Sequence, residues 1–140
     1  MANTPARSYD VAEVNLVVGG VIITGAAEGT FITAERNEDT FQEYIGSQGE
    51  VAFAETNNNS GTISVTLENT SPSISYLDGL ANRKGQNAIV DVSIIDGNTD
   101  GGKRISGAQA RVRRPANYEA SAGITTRDYE IFVTHIIFKD

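Results

Sequence analysis

The 140-residue sequence contains no cysteine and no tryptophan, one histidine, one methionine and three prolines. Without cysteine there is no disulfide framework and no thiolate metal site, which suits folding in a reducing compartment. Any Ser–His–Asp relay would have to use His135, which sits mid-strand on an apolar face and is expected to be a buried, hydrogen-bonded core residue. No G-x-S-x-G elbow, no G-x-x-x-x-G-K-[ST] phosphate loop and no H-E-x-x-H motif occurs. No apolar run approaches the ~18 residues of a membrane span, and MANTPARSYD lacks the apolar core of a signal peptide, so no membrane association is expected. Basic side chains are scarce as well: 11 against 18 acidic ones, a net charge of −7. Such a chain is ill suited to gripping nucleic acid by its phosphates. These absences predict a protein that is not an enzyme and carries no cofactor or metal.

What the chain has in quantity is alternation. GTISVTLEN (61–69) places Ile63, Val65 and Leu67 on one side and Thr62, Ser64, Thr66 and Glu68 on the other, the pattern of a half-buried strand. EVNLVV (13–18) repeats it, and further strands are expected at 21–24, 30–36, 49–54, 88–95, 104–113 and 127–138. The last of these is apolar on both faces toward its end, which predicts a sandwich core or a subunit interface. One segment breaks the rhythm. In SPSISYLDGLANRKG (71–85), Ser71 can cap a helix that Pro72 opens, Ile74, Leu77, Leu80 and Ala81 fall at helical spacing, and Gly85 can end it. The fold expected is therefore mainly β, a β-sandwich or flattened β-barrel, with one short α-helix around 71–84. It forms a single domain over 10–140 behind a flexible N-terminal arm, residues 1–9.

DGNTDGG (96–102) matches the front of a calcium loop through Asp96, Asn98, Asp100 and Gly101. The twelfth position, where a bidentate carboxylate belongs, is Gly107, and both flanks read as strands. The stretch is expected to be a hairpin turn. Two charged clusters remain. ERNED (Glu35, Arg36, Asn37, Glu38, Asp39) could hold the carboxylate pair of a glycosidase, yet its mixed charge at a strand end suits a solvated loop or an intersubunit patch. RVRRP, with Arg111, Arg113 and Arg114, suits a subunit contact.

Residues 20–80 go beyond pattern. The elements Gly20–Gly25, Phe31, Glu35–Phe41, Gly49–Phe53, Gly61–Leu67 and Ser71–Ser73 together resemble the tail tube proteins of long, contractile-tailed bacteriophages. The resemblance is most specific over 29–73. It implies a fold similar to the type VI secretion tube protein and a homo-oligomer of six-membered rings stacked into a hollow tube that conducts DNA. It further implies sheath, baseplate and tail terminator partners, DNA only in passage, and a place in the virion tail after assembly in the bacterial cytoplasm. On that reading the polar strand faces supply lumen candidates: Ser64, Thr66, Glu68, Asp91 and Ser93. An acidic wall would repel phosphates and let DNA slide. Ring-to-ring candidates are the arm Thr4–Tyr9 and the 35–48 loop, with Glu35, Arg36, Glu38 and Asp39, against Arg111, Arg113 and Arg114. Two alternatives stand beside it: a carbohydrate-binding β-sandwich, for which five tyrosines and no tryptophan offer little platform, and the tube subunit of a phage-derived bacteriocin or secretion machine.

Overall fold

A computed structural model describes residues 10–27, 29, 31–98 and 104–139. The expected mainly β fold with one α-helix is what forms. Its strands are β1 (Val14–Val18), β2 (Val21–Ile23), β3 (Ile32–Arg36), β4 (Phe41–Ile45), β5 (Val51–Glu55), β6 (Gly61–Glu68), β7 (Val90–Asp96), β8 (Arg104–Val112) and β9 (Thr126–Lys139). Seven of them build one antiparallel sheet in the order β2-β1-β7-β8-β9-β6-β3, and β4 and β5 form a separate hairpin. The sheet is continuous, and Leu16 and Ile23 near one end line a cavity together with Ile32 and Leu67 near the other, so of the two expected forms it is nearer the flattened barrel than two stacked sheets.

Alternation in β6 decides which face is in. Ile63, Val65 and Leu67 are buried while Thr62, Ser64, Thr66 and Glu68 stay half-exposed. Leu16 and Val18 of β1, Val92 and Ile94 of β7, Ala110 and Val112 of β8, and Ile131 and Val133 of β9 join the same core. Each large side chain fully withdrawn from water contributes about 1.5–3 kcal/mol. The helix α1 (Ser73–Asn82) closes this face with Leu77 and Leu80, flanked by the partly buried Ile74 and Ala81.

Local chemistry starts the helix where it was expected. The Ser71 hydroxyl accepts from the Ser73 N–H at 3.2 Å and donates to the Thr24 carbonyl. Pro72 already has helical torsions (φ −68°, ψ −18°), so Ser71 acts as the cap and Pro72 as the first helical residue. The C-terminus differs from expectation. Arg83 and Lys84 turn extended, and Gly85, at φ +65°, opens a separate 3₁₀ turn over Gly85–Ala88 instead of closing α1. In the helix interior, Asp78 Oδ1 accepts a 2.8 Å hydrogen bond from the buried Tyr129 hydroxyl, tying α1 to β9.

β8 and β9 change parity together. In β9 Tyr129, Ile131 and Val133 are buried, then Ile136; in β8 Val112 and Ala110 are buried, then Gly107. Thr134 and His135 both face solvent, as do Ala108 and Gln109. The cause is an extra residue. Val90 pairs with Ala110 but Val92 with Gly107, and Gln109 between them takes φ +59°, the signature of a β-bulge. The Ile136 N–H bonds the Asn59 carbonyl at 2.9 Å, one step out of the Gly61–Val133 register. His135 is therefore exposed, correcting the expectation of a buried histidine: two-residue periodicity cannot foresee a bulge. The apolar end of β9 likewise divides, Ile136 entering the core while Ile137 and Phe138 remain exposed.

β7 and β8 pair antiparallel, as expected for strands joined by DGNTDGG. The Asn98 side chain spends its amide on Asp96 Oδ1 (2.7 Å) and the Asp10 carbonyl (3.1 Å), and its Oδ1 accepts from the Asp10 N–H (2.8 Å). Asp96 and Asn98 thus brace each other and the chain start of the described domain. Asp100, Gly101 and the rest of 99–103, like the arm residues Thr4–Tyr9, lie outside the described residues.

Burial, reinforced by the Asp78 carboxylate, raises the Tyr129 hydroxyl above its ordinary value near 10. Its contribution to stability is intact below about pH 10 and declines as pH rises further. Tyr129→Phe should lower stability by about 1–2 kcal/mol at neutral pH, and alkaline titration of thermal stability, followed by circular dichroism, should be flatter in the variant than in the parent.

Candidate functional site

The strongest surface feature was only half visible in the sequence. Residues 49–54 read as a strand and 35–48 as a loop, but Phe41–Ile45 is itself a strand, paired with β5 from Phe41–Glu55 to Ile45–Val51. The turn is a three-residue loop, Ser47–Gly49, closed by Gly46 N–H to Glu50 O at 2.7 Å, with Gly49 at φ +89° supplying the left-handed position. Every residue of both strands is exposed. The exposure of the large apolar side chains runs from 43% at Phe41 to 71% at Ile45. Register places Phe41, Ile45, Val51 and Phe53 on one face, where the two phenyl rings meet edge to face at 5.1 Å. A two-stranded hairpin is marginal in water by itself, and a contiguous apolar face of this kind marks an interaction site.

The sheet offers two further surfaces. β2 and β3 end it, so each presents an unshared strand margin. Its outer face, turned from the core, collects all five lumen candidates. Ser64, Thr66 and Glu68 face out from β6, and Thr66 donates to Asp128 Oδ1 at 2.8 Å. With Glu130 opposite Ser64, that half of the face is acidic and hydroxyl-rich. Asp91 and Ser93 lie three strands away in sheet order, about 14 Å at ordinary strand spacing. They border a groove of about 430 Å³ that Val17, Ala108, His135 and Ile137 also line, so the five share a face but not an environment.

The charged candidates disperse. Glu35 is exposed on the outer face opposite Thr62, whereas Arg36 turns inward and donates to Asn59 Oδ1 at 3.3 Å. Glu38 and Asp39 lie in the exposed link to the hairpin and border a hollow at its base with Gln42 and Thr56. Arg113 has partners in its own chain: Glu130 at 3.6 Å, Thr62 Oγ1 at 3.5 Å, and the Phe132 ring 5.3 Å from its guanidinium carbon. An exposed pair of this kind contributes 0–1 kcal/mol at most. Arg111 donates to the Arg83 carbonyl at 3.3 Å, and Arg114 is exposed. Among the described residues no cluster of His, Cys, Asp and Glu could hold a metal ion, and no helix is long and apolar enough to cross a membrane.

No family model matches the chain, and no curated protein matches it. Among solved structures it is similar to the tube-terminating cap of the anti-feeding prophage, with a TM-score of 0.61 at 11% identity over 99% of this chain and 95% of that one. It is similar to a chain of the sheath–tube complex of an extracellular contractile injection system, PVC, in the extended state (TM-score 0.63, 15% identity, 94% and 91% covered). It is also similar to a chain of the PVC sheath/tube terminator in the extended state (TM-score 0.61, 13% identity, 100% of both). At these identities the likeness is one of fold.

Because every residue of the hairpin is exposed, replacing Phe41 and Phe53 together by serine should change the free energy of unfolding by no more than about 0.5 kcal/mol. Urea unfolding followed by circular dichroism measures that change.

Proposed function

We propose that this protein is a structural subunit of a contractile-tail or injection tube, in which copies close into rings and rings stack around a channel. The observation that carries the reading is the hairpin: an apolar, solvent-facing pair of strands that no other described element covers, on a domain whose fold is shared with components of contractile injection systems. The unshared margins of β2 and β3 support ring closure, since joining sheets edge to edge around an axis removes both margins. A six-membered ring follows the tail tube resemblance. So do contacts with sheath, baseplate and terminator proteins and residence in a phage-like tail, whether of a virion, a bacteriocin or a secretion machine.

The outer face lines the channel on this reading. Ser64, Thr66, Glu68, Asp91 and Ser93 would face the lumen, an acidic and hydroxylated wall past which DNA slides without adhering. Glu35, Glu38 and Asp39 would meet the arginine cluster of a neighbour, fixing register more than adding affinity. No catalytic step is assigned, and no cofactor is required.

A second reading rests on the cap and terminator likenesses, which cover almost the whole of both chains: a component that closes the end of a tube. The two differ in growth. A tube subunit adds copies at both ends, whereas a terminator forms one ring that seats on a tube of other subunits.

Negative-stain microscopy of the purified protein should show rings and open-ended hollow filaments. Discrete rings alone would favour the terminator, and a stable monomer at high concentration would overturn both readings. Glu68→Arg with Asp91→Arg should leave assembly intact and impair delivery of DNA; unchanged delivery would exclude the outer face as the channel wall.

A further inference from the structure

A cavity of about 310 Å³ lies at the seam of the curled sheet. Leu16 and Ile23 line one side, Phe31, Ile32 and Leu67 the other, and Val11 borders it as well. β2 and β3 end the sheet and are not paired with each other, so no strand ladder closes the barrel at this point. Protein interiors leave few voids larger than a water molecule. Apolar walls that face such a space, among the described residues, forgo the dispersion contacts that the rest of the core makes.

The chain enters the domain at this wall, and its entry is pinned. The Asp10 N–H donates to Asn98 Oδ1 at 2.8 Å, and the Asp10 carbonyl accepts from Asn98 Nδ2 at 3.1 Å. The Asp10 carboxylate accepts from the Ala12 N–H at 2.9 Å, capping the 3₁₀ turn Val11–Glu13. Val11, two residues from Tyr9, keeps 52% of its surface exposed beside the cavity. Tyr9 is the one aromatic residue before Asp10. Consecutive Cα atoms stand about 3.8 Å apart, so the Tyr9 Cα lies within about 8 Å of the Val11 Cα. A phenol suits the place: its ring matches the aliphatic walls, and its hydroxyl can turn to Asn15, a polar residue that also borders the cavity.

From the cavity, the pinned entry and this short tether we infer that Tyr9 folds back over the 3₁₀ turn and seats its ring in the seam cavity of its own chain. The ring then closes the barrel where the two sheet ends do not meet. Insertion within one chain closes a loop of only two or three residues and costs little chain entropy. A neighbour's segment has no such advantage in local concentration. Tyr9, expected from the sequence to belong to a ring-to-ring arm, is thereby assigned to the interior of its own domain. The assignment concerns a single subunit and does not depend on what the subunit builds.

The chain has no tryptophan, so Tyr9→Trp introduces a single indole reporter. In dilute, unassembled protein its emission should lie to the blue of the same variant in urea. Its quenching by acrylamide should be about threefold weaker than in urea, because a ring withdrawn from water is withdrawn from the quencher too. Independently, in the unsubstituted chain, nuclear Overhauser effects should join the Tyr9 ring protons to the methyl groups of Leu16, Ile32 and Leu67. An indole quenched as freely as in urea, or Tyr9 ring protons without contact to those methyls, would overturn the assignment. So would shielding that appears only as protein concentration rises, which would place the ring in another copy. Each of these failures leaves the tube reading standing, since that reading is decided by assembly and these measurements are made before it.

Discussion

A single curled sheet with one helix can bury only one of its faces, and everything else about this molecule follows from that limit. Burial of Leu16, Ile63, Leu67, Leu77 and Leu80 commits the inner face to α1. Among the described residues nothing covers the outer face, the margins at β2 and β3, or the hairpin. For a monomer these would be liabilities. In the repeating subunit proposed above they would be the means of joining, and one short helix leaves them open.

β9 is the strand on which the sheet turns. Its first part, Thr126–Val133, pairs with β6 and its later part, Ile131–Lys139, with β8, so it joins the two wings. Two glycines permit that closeness. A Cβ on Gly107 would overlap the Val133 side chain, and one on Gly61 would meet Ile136 and the Glu35 carbonyl. The bulge at Gln109 lets β8 and β9 reverse which residues face inward without breaking their mutual register. One wing thereby presents hydroxyls and carboxylates on its outer face, and the other a groove with apolar walls.

The core was readable in advance because its signals are local and redundant. Alternation in 61–69 identified the buried residues of β6, and Ser71-Pro72 located the start of α1 to the residue. The hairpin was half missed for a physical reason: in FQEYI polar and apolar residues do not separate onto two faces, since Phe41, Glu43 and Ile45 share one. Alternation marks a strand with one wet face and one dry one, and β4 has no dry face among the described residues. His135 was misplaced because a single added residue upstream in space, on the neighbouring strand, reversed the parity that its own sequence implies. The lumen candidates were read only as lying on the polar faces of their strands, and no periodicity could tell that Asp91 and Ser93 border a groove with Val17, Ala108 and Ile137 while Thr66 stands beside Asp128. Such distinctions depend on partners distant along the chain.

The order of synthesis gives the length of β9 a further meaning. Ribosomes finish β6 at Glu68, well before Thr126 begins the strand that must lie between it and β8, and most of the sheet's pairings span long stretches of sequence, a topology that folds slowly. A nascent chain without β9 therefore has two unjoined wings and no completed surface to offer a neighbour. If copies join as proposed, that joining would wait until β9 has been made, and crowded polysomes would not knit half-made subunits together.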